Sequence, residues 1–97
     1  MGVKFNREYE DIVRDLSGAL GRFDGVYDSF EMSAEEWGGL EEGERSECLR
    51  TLADDLFYAL GADPVMYIGA GKAVYDREHH IIKLIVTDKE VQLIYLV

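Results

Sequence analysis

The chain has 97 residues, of which 47% are hydrophobic and 31% charged, and its formal net charge is −10. That balance suits one folded domain spanning residues 1–97 and excludes a disordered chain. One cysteine, Cys48, excludes an internal disulfide framework; no apolar run approaches the roughly 20 residues of a membrane helix, and Met1–Asn6 lacks the apolar stretch of a signal peptide. A cytoplasmic protein with no membrane partner is expected.

The charge is unevenly placed. Residues 1–63 hold 16 acids against 6 bases, a net −10, whereas residues 64–97 hold 4 of each, a net zero. Such a field repels phosphate backbones, so no nucleic-acid partner is expected. It suits attraction of a basic protein, or simple solubility.

In chain order, Tyr9, Ile12, Val13, Leu16, Ala19, Leu20 and Phe23 recur at steps of three and four. This predicts an amphipathic helix with Asn6 as its N-cap and Gly21 as its stop. Val26–Met32 reads as a short edge strand or an ordered loop, because Asp28 breaks its period-two apolar face. Ser33 with Glu36 three residues later forms a capping box. The first turn it opens ends at Trp37 and is interrupted by Gly38-Gly39. A second long helix is predicted from about Glu42 to Leu60, with Gly61 as its stop.

After Asp63-Pro64 the period changes to that of strands. "PVMYI", "KAVYD", "IIKLIVT" and "VQLIYLV" are short β-prone runs separated by turn residues. Gly69-Ala70-Gly71 reads as a three-residue hairpin loop, and Arg77–His79 and Asp88–Glu90 as the later turns. The expected fold class is α+β: two N-terminal helices packed on a C-terminal antiparallel meander of three to four strands.

Both faces of that sheet carry apolar residues. Ile82, Leu84 and Val86 form one face of their strand, and Ile81, Lys83, Ile85 and Thr87 the other. A sheet with one wet face should alternate cleanly between apolar and polar. Ile85, Ile94 and Leu96 are therefore read as an apolar second face left for a partner.

The candidate chemical sites fail on residue type or context. Gly69-Ala70-Gly71-Lys72 resembles part of a phosphate loop. However, Met66 stands where the first glycine of that motif belongs, Ala73 supplies no hydroxyl, and a strand follows rather than a helix. His79 and His80 are adjacent, so in regular β structure they point to opposite faces, and no cysteine or third histidine lies near them in sequence. Cys48 lies beside Glu47, which disfavours a thiolate. No catalytic residues, metal site or cofactor are expected.

Glu35, Glu36, Glu41, Glu42, Glu44, Glu47, Asp54 and Asp55 form the densest acidic run. Trp37 beside Glu41, Glu42 and Glu44 makes a second candidate surface, since Trp is enriched at binding hot spots. The expected function is a non-catalytic protein-interaction module that binds a protein partner or itself, as a homodimer, through a sheet face. One alternative is an acidic inhibitor, immunity or anti-defence protein that blocks a basic nucleic-acid-binding partner. A weaker alternative is a small-molecule sensor or enzyme using His79 or His80.

Overall fold

The spacing of the apolar residues sets where each helix lies against the sheet. In the computed structural model, which describes residues 2–97, helix α1 spans Tyr9–Leu20. It buries Ile12, Val13, Leu16, Ala19 and Leu20 along one stripe. Its N-cap is Glu8, not Asn6. Asn6 is held elsewhere: the backbone N–H groups of Asn6 and Arg7 donate to the carbonyl of Leu96 at 2.9 and 3.2 Å. The chain entering α1 is thus tied to the end of the last strand.

Val26–Phe30 is a single 3₁₀ turn rather than a strand. Gly25 (φ 76°) before it and Glu31 (φ 57°) after it are both left-handed, which breaks an extended run at each end. Helix α2, Ala34–Gly39, opens with the expected capping box: Ser33 Oγ accepts from the Glu36 N–H at 3.1 Å, and the Glu36 carboxylate accepts from the Ser33 N–H at 3.0 Å. The chain turns extended at Leu40, and helix α3 follows at Glu42–Leu60. Three helices therefore stand where two were expected, because the turn before Gly38-Gly39 is a separate six-residue helix.

The sheet comprises β1 (Val65–Ile68), β2 (Gly71–Asp76), β3 (Ile81–Ile85) and β4 (Val91–Tyr95), an antiparallel meander in that order. Ile68 pairs with Gly71, so the first loop is the two residues Gly69-Ala70 and not three. Gly69 takes positive φ (53°), as the first position of a II′ turn requires. A side chain on Gly69 would run into the Asp24 carbonyl, and one on Gly71 into the Ile85 carbonyl and the Phe23 ring. Ala70 N–H donates to the same Asp24 carbonyl at 3.1 Å. Packing, not phosphate binding, therefore accounts for both glycines.

The core lies between α1, α3 and one sheet face. It contains Leu16, Leu20, Leu56, Leu60, Ile82 and Leu84, among others. Ile94 and Leu96 belong to it too, at 5% and 0% exposure, which corrects their expected place on the free face. The register gives the reason: Ile82 pairs with Ile94, so Ile94 shares the face of Ile82 and Leu84. Val91, Leu93 and Tyr95 turn outward instead.

Three substitutions test this arrangement by chemical denaturation. Gly69→Ala should cost about 1–3 kcal/mol or more, since it combines a left-handed backbone with a backbone clash. Gly18→Ala, exposed in α1 with open space at its Cβ, should stabilise by about 0.5–1 kcal/mol. Leu96→Ala should cost about 2–5 kcal/mol, whereas the exposed Leu93→Ala should cost less than about 1 kcal/mol.

Candidate functional site

Strand register assembles the open face of the sheet. Val65 and Tyr67 of β1, Lys72, Val74 and Asp76 of β2, Ile81, Lys83 and Ile85 of β3, and Val91, Leu93 and Tyr95 of β4 all point away from the helices. Tyr67 is 77% exposed, Tyr95 57% and Leu93 44%, and Val91 and Val97 are exposed as well. Ile81 and Ile85 lie lower between them. A hollow of about 330 Å³ opens beside Tyr67, Lys72 and Ile85, bordered by Thr87 and Asp88.

A polar row crosses this apolar face. The Asp76 carboxylate meets His79 Nδ1 at 2.8 Å and Lys83 Nζ at 3.4 Å. The hydrogen bond from His79 holds the Asp76 carboxyl below the usual carboxylate range, and partial burial opposes it. A depressed carboxyl of this kind contributes stability above its ordinary pKa and loses it as pH falls through the depressed value. His79 and His80 themselves are exposed on the turn Arg77–His80. His80 is left-handed there (φ 55°), and its carbonyl accepts from the Leu96 N–H at 3.0 Å.

The second predicted surface lies on the helical side. Trp37 is half-buried, its ring stacked on Phe30 at 5.4 Å with only 12° between the planes. The Arg45 guanidinium donates to the Trp37 and Leu40 carbonyls, and Trp37 packs against the core cluster rather than projecting. Glu41 is the N-cap of α3, and its N–H donates to the Glu44 carboxylate at 3.1 Å. Glu42 and Glu44 are exposed in the first turn, where negative charge complements the helix dipole. Next to them, Phe30, Met32, Leu40 and the half-buried Cys48 form a groove of about 430 Å³ edged by Glu44 and Glu47. The structure thus brings Ile85 to the open face, Ile94 and Leu96 to the core, and the acidic residues with Trp37 to a separate place.

Tyr67, Val91, Leu93, Tyr95 and Val97 are the surface residues missing from the expectation. The loop between β3 and β4 held the signal for the last four. A hairpin loop with an odd number of residues pairs odd positions with odd positions. Lys83 marks the wet face of β3, and three loop residues, Thr87–Lys89, carry that face to Val91, Leu93 and Tyr95. Tyr67 needed the shorter β1–β2 turn to be placed.

Among the described residues no three His, Cys, Asp or Glu side chains converge on a metal position, and no helix is long and apolar enough to cross a membrane. The largest shift in ionisation belongs to a brace between helices. Tyr9 Oη donates to Asp54 at 2.7 Å, and its ring sits edge-on to Phe57 at 5.1 Å. Burial, then the bond to Asp54, pushes the Tyr9 phenol up to about 12. This favours the neutral phenol in the fold. The stabilisation is full below the ordinary phenol value of about 10 and is lost as pH rises through the folded value.

An absorbance titration of tyrosinate should therefore show a late-ionising component, and Tyr9→Phe should remove it while costing about 1 kcal/mol of stability. No family model, curated protein or solved structure matches the chain.

Proposed function

We propose that this chain is a non-catalytic protein-interaction module that binds through the open face of its sheet. The observation that carries the reading is the row of exposed large apolar residues Val91, Leu93, Tyr95 and Val97 along β4 and its end, with the exposed Tyr67 across the same sheet face on β1. Patches of this kind mark interaction sites in folded chains. Two tyrosines add large, rigid contact area with a polar tip, and the Asp76–Lys83 row supplies the polar contacts that fix orientation. A cytoplasmic setting fits a chain whose one cysteine is a free thiol.

A second reading has its own support. The groove edged by Glu44 and Glu47 over Phe30, Met32 and Leu40 has the chemistry to take a basic amphipathic segment. It would serve an acidic inhibitor of a basic, nucleic-acid-binding partner.

Paired variants separate the two. Tyr67→Glu with Val91→Glu alters the sheet face at exposed positions, and Glu44→Lys with Glu47→Lys reverses the groove's charge. Association, followed by light scattering and by affinity capture, should disappear in the sheet pair and persist in the groove pair. The opposite pattern, with binding that weakens as salt rises, supports the inhibitor reading instead.

A further inference from the structure

The open face ends at a strand edge, and the backbone there has a direction that can be worked out. In an antiparallel pair, hydrogen-bonded and non-bonded positions alternate. Leu96 N–H donates to His80 O at 3.0 Å, and Val86 N–H to Glu90 O at 3.0 Å. The bonded pairs of β3 with β4 are therefore 80/96, 82/94, 84/92 and 86/90. Val91, Leu93 and Tyr95 point their N–H and C=O groups the other way, off the free side of β4. Their side chains are the exposed ones of the open face.

The residues of this strand carry none of the usual protection. Natural edge strands carry a charge, a proline or a bulge to discourage pairing. Val91–Val97, VQLIYLV, has no charge, no proline and no glycine. Among the described residues, the N-terminal segment covers its far end, where Arg7 Nη1 donates to the Tyr95 carbonyl at 2.8 Å. The opposite edge, β1, is four residues long. Its Val65 N–H is taken by the Asp63 carboxylate at 3.1 Å, and its turn is docked on the Asp24 carbonyl.

We propose that β4 pairs with β4 of a second copy of this chain, antiparallel about a two-fold axis at Leu93, to make one eight-stranded sheet. Resting on the reading of the open face as the binding surface, the proposal names the occupant and the mode. In this register Leu93 lies opposite its own copy and Val91 opposite Tyr95, so each outward N–H meets an outward carbonyl. The Tyr95 carbonyl keeps Arg7 on its second lone pair. Charge selects a second copy at this place. The −10 lies in residues 1–63, and self-association through that part would oppose 16 acids to 16 more, whereas residues 64–97 are neutral. Each acid of α1, the helix packed against β4, is paired with a base: Asp15 with Arg7, Asp11 with Arg14 and Glu10 with Arg50. Pairing β4 with β4 about a two-fold axis uses the same edge of both copies, so this contact closes as a dimer.

Sedimentation of the full chain over a concentration series tests this. The wild type should be a monomer–dimer equilibrium that tightens as salt rises from about 0.01 to 0.15 M, because screening relieves the remaining repulsion. Leu93→Pro removes an N–H that β3 does not use, in a setting where strands tolerate proline. It should weaken dimerisation by at least roughly 100-fold with an unchanged far-ultraviolet spectrum. Tyr58→Gln, at an exposed position on α3 away from the open face, should change it by less than roughly threefold. In the wild type the Leu93 amide should exchange more slowly as the dimer fraction grows, a readout that survives even if Leu93→Pro misfolds. A chain that stays monomeric at millimolar concentration overturns the proposal, as does a Leu93 amide indifferent to concentration. If Tyr67→Glu dissociates the dimer and Leu93→Pro does not, edge pairing is wrong while the open face stands as the binding surface.

Discussion

One layer of helix covers one face of a four-stranded sheet and no more. Every larger feature of this molecule follows from that constraint. The strands are apolar on both faces, yet α1 and α3 together supply a single helical layer. The meander places all four strands side by side, so the uncovered residues gather on one surface instead of scattering. The meander leaves β1 and β4 as the outer strands, with α1 packed against β4.

The helices were legible in the sequence because their periodicity and punctuation agreed. The α1 stripe, the Ser33/Glu36 capping box and the span of α3 all lie where the residue spacing puts them. The strands and their order were legible for the same reason. The error fell where local pattern carries no information. On β4 both alternating sets are largely apolar, and its only polar residue, Gln92, sits on the core side as a half-buried exception. Only the pairing with β3 decides which set faces the helices. The N-cap of α1 was lost in a related way. Asn6 is a good cap by residue type, but its N–H is engaged 90 residues away, at Leu96.

Charge and apolar surface are kept apart in this chain. The acids that line the helical groove and begin α3 lie in the N-terminal half of that helix, whereas its buried residues Ala53, Leu56 and Leu60 lie in the other half, and on the sheet Asp76 is paired with Lys83. That separation leaves the sheet free to meet another surface without opposing like charges, and it gives the helical side a field that repels copies of itself.

The tie between Asn6, Arg7 and Leu96 also bears on how the chain folds. The four strands and the α1–α3 pair form through neighbours in sequence or across modest loops. The tie to Leu96 closes a loop of nearly the whole chain, at an entropic cost of about 4 kcal/mol from length alone. Such a contact forms late, after the sheet has brought its last strand over α1. The chain entry and the final strand are thus the natural place for the fold to open first, and local unfolding there would lengthen the free edge of β4 without disturbing the core.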